Sequence, residues 1–342
     1  MSDRKASSRR SQFLAATLSV GLLPFLTVLA DAASPERHIS VAVITHIQRG
    51  LGRAEVRPLG AGAWTDARPL RALRAGDEVR ASDDAVLVLL LAGGRGRHIV
   101  TALNSPYVVV TPPMPQRGTP GKLQVLLQRS LSFLLASSND GPEGALGSRG
   151  GPGVPVILSN GLVLPSSLVF HWQAQIPDLY TVSILSRGGV VWQQDRVNGG
   201  VLEYPVSKAP VLEPSIQYTL RVRPVQGRAK EAHFEVLDPA RAELVRQELA
   251  YLRSELSPEV TDRALVAIEA AYLADHILLH DARLTVLRAV QTYPDEPSFH
   301  LLLAELYTRM GLPDQAIESR RKAKTLLSVE ADPSASSSRL SQ

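Results

Sequence analysis

Two segments in the last hundred residues repeat at a spacing of 34. Ala270, Ala282, Ala289 and Pro294 in the first copy are answered by Ala304, Ala316 and Ala323 in the second. The second copy adds Leu303, Tyr307 and Gly311, a leucine, an aromatic and a turn glycine. A period of this length predicts one pair of antiparallel helices per copy, with small residues in the seam. Such pairs stack on their neighbours and present a concave face that grips other proteins, without chemistry of their own. The first expectation is therefore a partner-binding protein.

Composition narrows the class. The apolar fraction of 44% and charged fraction of 20% are those of a globular chain, and 342 residues suggest two or three domains. Net charge is +4, and the cations are scattered, with no basic stripe interleaved with aromatics. Nucleic acid is therefore not an expected partner. Cysteine is absent, which excludes disulfides, thiolate catalysis and cysteine-ligated zinc.

The N-terminus points to export. Arg4, Lys5, Arg9 and Arg10 precede an uncharged apolar run from Phe13 to Ala30, and Ala30-Asp31-Ala32 is a small-x-small cleavage site. Residues 1–32 read as a signal peptide, with a mature chain starting at Ala33 and destined for the periplasm. The run is also long enough to remain as an inner-membrane anchor, the one membrane contact expected if it is not cleaved. Without those four cations and two anions the mature chain carries about +2.

Residues 38–115 read as short strands. Val41, Val43 and Thr45 alternate, and Ala85 to Leu91 and His98 to Leu103 are apolar runs around Gly93-Gly94-Arg95-Gly96, a hairpin signal. Leu73, Gly76, Asp77 and Val79 form an L-x-x-G-D-x-V pattern, and Asn104-Ser105 closes the region. With Arg49-Gly50-Leu51-Gly52 as a first glycine-containing hairpin, this segment resembles the FecR-type domain. The resemblance implies a small all-β module outside the cytoplasmic membrane, with a role in envelope signalling or assembly. Regulators of sigma factors in that family carry a cytoplasmic domain before their membrane helix. Only the short stretch from Met1 to Gln12 precedes Phe13 here, so direct anti-sigma activity is not expected.

Residues 120–136 place Leu123, Leu126, Leu127, Leu131, Leu134 and Leu135 at helical spacing and predict an amphipathic helix. Residues 137–153 hold six glycines and two prolines and read as a flexible linker. Residues 154–237 carry strand-like runs about every ten residues: Phe170 to Trp172, Tyr180 to Leu185, Val190 to Trp192, Leu202 to Tyr204 and Tyr218 to Val222. That rhythm is similar to immunoglobulin and fibronectin type III sandwiches. From Asp238-Pro239, a cap followed by a first-turn proline, the pattern becomes helical to residue 328. It predicts a first helix to about Leu256, a second starting at Ser257-Pro258, and two repeat pairs. This region resembles tetratricopeptide repeats. Two pairs fall short of the three that usually stand alone. The first helix, the sandwich or a second copy of the chain is expected to complete the array. Residues 329–342 read as a disordered tail.

Candidate chemical sites are few. His276 and His280 lie four apart but straddle a turn without a third ligand, so they read as solvated turn residues. Asp77 reads as a turn acid bonding backbone N–H groups. Trp172, Trp192, Tyr180, Tyr204 and Tyr218 read as sandwich core, with a sugar platform as the alternative. Arg320, Arg321, Lys322 and Lys324 read as a solvated face near a helix C-terminus, open to an acidic partner. No nucleophile, phosphate-loop or metalloprotease motif occurs, and no cofactor or metal is expected.

The chain therefore reads as multidomain β plus α: FecR-like β domain, immunoglobulin-like sandwich and tetratricopeptide-like helices. The expected function is an exported, non-enzymatic scaffold or sensor that binds envelope or periplasmic proteins. The alternative is an envelope polysaccharide or peptidoglycan-binding module.

Overall fold

A computed structural model describes residues 40–93, 97–111, 121–138, 156–157, 161–166, 168–174 and 179–331. The expected signal peptide, Gly94 to Gly96 of the glycine turn, nearly all of the expected linker and the end of the expected tail lie outside these residues. The fold is mixed β and α, with four sheets and six α-helices among the described residues. No helix among them is long and apolar enough to cross a membrane.

The first β region has strands β1 (Ser40–Gln48), β2 (Ala54–Arg57), β3 (Thr65–Asp66), β4 (Ala72–Arg74), β5 (Glu78–Ala81), β6 (Val86–Leu91), β7 (Arg97–Val100) and β8 (Tyr107–Val108). They form two four-stranded antiparallel sheets, β4-β1-β6-β7 and β3-β2-β5-β8. Ile44, Val56, Leu73, Val79, Leu87, Leu89 and Val100 form the buried core of these strands. The first sheet is covered on its other face too, because Val43, Ala72 and Leu90 join a separate apolar cluster. This two-sided burial explains why Val41 to Ile44 of β1 and Val86 to Leu91 of β6 are continuous apolar runs. Two local expectations change. The Arg49 to Gly52 turn is not a hairpin, since β1 pairs with β4 and β6 while β2 pairs with β3 and β5. It is a crossover between sheets, and a side chain at Gly52 would collide with the Ser82 carbonyl. The apolar run from His98 ends as a strand at Val100 and turns into a 3₁₀ segment, Ala102–Asn104.

Helix α1 (Lys122–Ser138) follows. The second β region contains β9 (Gly161–Val163), β10 (Val169–His171), β11 (Leu179–Ser186), β12 (Gly189–Asn198), β13 (Val201–Glu203), β14 (Gln217–Pro224) and β15 (Lys230–Val236). A five-stranded sheet runs β12-β11-β14-β15-β9, and β10 pairs with β13. Aromatic contacts bind the pair to the sheet: Phe170 to Phe234 at 5.6 Å, Trp172 to Tyr180 at 5.6 Å, Trp192 to Tyr204 at 5.1 Å. β9 runs parallel to β15 and was not legible as a strand in its short Gly-Leu-Val run.

Five helices follow: α2 (Pro239–Leu256), α3 (Asp262–Asp275), α4 (Leu279–Thr292), α5 (Pro297–Arg309) and α6 (Pro313–Ala331). The ends of α3 and α5, Asp275 and Arg309, and the starts of α4 and α6, Leu279 and Pro313, both keep the offset of the sequence repeat. Asp238 caps α2 by accepting from the Ala240 and Arg241 amides. Ser257-Pro258 closes α2 instead of opening the next helix. Ser257 has helical torsions and its hydroxyl donates to the Arg253 carbonyl, while Thr261 is the extended residue whose hydroxyl caps α3. α6 continues to Ala331, so the first residues of the expected tail are helical.

Helix α3 is buried almost all round, as the alanine-rich run Ala264 to Ala274 allows. α4 lies on one side of it, and α1 packs along another and reaches α5. Leu126, Leu127, Leu131, Phe133, Leu134 and Leu135 of α1 share one cluster with α3, α5 and the outer face of the first sheet. The missing partner of the two helix pairs is therefore chiefly α1, with α2 a lesser neighbour of α3.

Candidate functional site

The stacked helix pairs were expected to present a concave face to a partner. The structure lays α1 over the first helix of each pair, α3 and α5. Polar contacts fix this arrangement as well as apolar ones. Lys122 reaches Glu248 of α2 at 3.6 Å, and Glu248 accepts from the Tyr272 hydroxyl at 2.6 Å. Burial and the Glu248 carboxylate hold that phenol above its ordinary value. Arg309 of α5 stacks on Phe133 of α1 at 4.3 Å. The Thr261 hydroxyl donates to the Thr45 carbonyl and the Ser298 hydroxyl to the Pro69 carbonyl, joining α3 and α5 to the first β region.

One cavity remains at this junction. It measures about 150 Å³ and lies between the β3–β4 loop, the C-terminal half of α1, α3 and the first turns of α5. Leu70, Leu134, Ala267 and Leu302 supply buried apolar wall, while Thr65, Arg68, Arg71, Ser137 and Ser298 are the polar residues of the lining.

A polar cluster joins the second β region to α4. Asp281 Oδ2 accepts from the Leu164 amide at 3.1 Å, just beyond β9. Arg283, 1% exposed, places Nη2 3.0 Å from His171 Nδ1 on β10. An arginine is only a donor, so His171 Nδ1 must be the acceptor, and the imidazole is neutral with its proton on Nε2. Burial and the guanidinium hold His171 down to about 4. Burial also lowers Arg283, opposed by Tyr307 and Asp281. No sequence pattern announced this cluster. A lone Asp-x-Arg pair on a helix looks like a solvated face until the sheet is placed against it.

The repeat residues lie in the seams. Ala270, Ala282, Ala289, Leu303, Ala304, Tyr307, Ala316 and Ala323 are buried, whereas Pro294 and Gly311 are exposed in turns. In the β motif, Leu73 and Val79 are core, Gly76 takes a left-handed φ of +88°, and Gly93 is half-buried at the end of β6; Gly94 is outside the described residues. Asp77 is buried and accepts from the Leu59 and Arg74 amides, both at 2.9 Å, which makes it a brace between two loops. Asn104 accepts from the Thr101 amide and Ser105 from the Ala81 amide.

Two expectations are corrected. His280 is not solvated: it is 1% exposed inside α4, and only His276 sits at the turn, its Nδ1 3.0 Å from the Tyr272 carbonyl. The cations from Arg320 to Lys324 lie mid-helix rather than at a C-terminus, because α6 runs on to Ala331. They are exposed, and Arg321 is engaged with Glu318 at 2.7 Å. Of the aromatics read as core, with a sugar platform as the alternative, Trp172, Tyr180, Tyr204 and Tyr218 are buried and Trp192 is half-buried against Tyr204. No cluster of three metal-ligating side chains occurs among the described residues. No protein-family model matches the chain, and no curated protein matches it.

Proposed function

We propose that the protein is an exported, non-enzymatic scaffold or sensor built from a FecR-type β domain, an immunoglobulin-like sandwich and tetratricopeptide-like helices. The observation that supports this reading is the constant offset of the helix ends with alanines in the seams, an arrangement whose use is to hold a surface for partners. Because α1 covers α3 and α5, the partner surface is moved to the outside of the array, where α6 presents Arg320, Lys322 and Lys324. An acidic segment of an envelope or periplasmic protein suits that face. The burial of the sandwich aromatics leaves no observation that favours glycan binding through them.

The test is in-cell crosslinking of the tagged chain, with mass spectrometry of co-purified proteins and of its own N-terminus. Envelope proteins crosslinked to α6, lost on Arg320→Glu with Lys322→Glu, and a mature end at Ala33 are expected. Recovery of no protein above background would overturn the scaffold reading, and an intact Met1 or Ser2 would replace the soluble form with an anchored one.

A further inference from the structure

We propose that the cavity between the β3–β4 loop, α1, α3 and α5 binds a small amphiphilic carboxylate, a benzene-sized apolar group carrying one acid. The size argument comes first. The cavity is about 150 Å³, and an apolar protein cavity of that order holds a benzene-sized guest. It is too small for the ligands of several hundred Å³ that fill most binding clefts. The chemistry of the wall suits an apolar group, with Leu70, Leu134, Ala267 and Leu302 buried and apolar.

The charge argument is independent of size. The polar part of the lining consists of two arginines and of Thr65, Ser137 and Ser298, whose hydroxyls donate to the Val56, Leu134 and Pro69 carbonyls, and no carboxylate is among the lining residues. Arg68 forms no ion pair among the described residues, and Arg71 Nη1 donates to Thr65 Oγ1 at 3.1 Å. A guanidinium carries five N–H donors in a planar fork that matches a carboxylate. Glu296, the acid closest in sequence to the α5 side of the site, is turned away. It accepts from its own helix at Ser298 N and pairs with Arg263. A pocket that pairs a buried leucine wall with two arginines and no acid in its lining selects an apolar anion over a neutral isostere. The ligand would touch the first β region, α1 and α5 at once, and so would stabilise their junction by mass action.

This inference goes beyond the partner reading and is tested separately, with the purified full chain. Titration with phenylacetate, followed by calorimetry and by methyl NMR of the leucines, is expected to give a Kd below about 1 mM. Benzyl alcohol, of similar size but neutral, is expected to bind about tenfold more weakly or worse. Arg68→Gln, at a half-exposed position, is expected to weaken phenylacetate about tenfold without changing the thermal midpoint of the unliganded protein. A peptide ending in phenylalanine, as free acid and as amide, separates the two sources of this chemistry. Tighter binding of the acid peptide than of phenylacetate identifies a chain terminus as the natural ligand, and the reverse identifies a free small acid. Equal binding of phenylacetate and benzyl alcohol, an unchanged Kd in Arg68→Gln, or no response at 10 mM (about tenfold above the expected Kd) would overturn the proposal. None of these outcomes bears on the crosslinking result at α6.

Discussion

Ile277 and Gly311 close the first helix of each pair, at equivalent positions of the repeat and with the same backbone bonds. The amide one residue on reaches back to Leu273 O in one turn and to Tyr307 O in the other. Both residues need a left-handed φ, +62° for Ile277 and +72° for Gly311. Glycine adopts this freely, whereas a β-branched side chain is strained there. Ile277 is 63% exposed, so little burial offsets the strain. Ile277→Gly is therefore expected to stabilise the protein by about 1 kcal/mol, net of the extra freedom glycine adds to the unfolded chain. Chemical denaturation checks this, and a lower midpoint would contradict the strain argument. Gly311 was readable in the sequence as a turn residue because glycine advertises its torsions. Ile277 was not, because only the repeat register places it in the same bend.

At the scale of elements, the junction between β10 and α4 has a pH dependence whose sign is set by His171. Its folded value of about 4 lies below the ordinary imidazole value of 6.5. Between those limits the unfolded chain binds more protons than the folded one, so stability is full above pH 6.5 and is lost as pH falls towards 4. His300, also lowered by burial, acts in the same direction. Unscreened, a shift of this size would correspond to about 3 kcal/mol, and the partial exposure of His171 reduces it to about 1 kcal/mol. His171→Gln still offers an acceptor to Arg283 but does not titrate. Its unfolding midpoint is expected to fall less steeply than that of the parent between pH 6.5 and 4, and parallel curves would remove His171 from the account. Helix α1 and β11 were legible from leucine spacing and from alternation. β9 and the Arg283 cluster were not, since three residues hold too little pattern and a buried arginine is visible only with its neighbours.

Across the whole molecule, one apolar cluster runs from the outer face of the first sheet through α1 to all five C-terminal helices, and takes in Leu164 beside β9. Elements that share a core in this way melt together. A fragment spanning residues 238–331 lacks α1 and leaves the buried side of α3 open to water. It is expected to show no cooperative thermal transition by circular dichroism, and adding a peptide of residues 121–138 is expected to restore one. A sharp unaided transition would mean that α1 is only a lodger on the array. The local periodicities were written in the chain: leucines every three to four residues for α1, alternating runs between turn residues for the strands, and alanines at an offset of 34 for the helix seams. Those patterns act through neighbours in the chain, so they can be read along it. Which face each element buries, and against what, emerged only on folding. α1 on α3 and α5, β9 beside β15, and Arg283 against His171 join residues far apart in sequence, and the apolar surface that drives such pairings has no direction until the chain is folded.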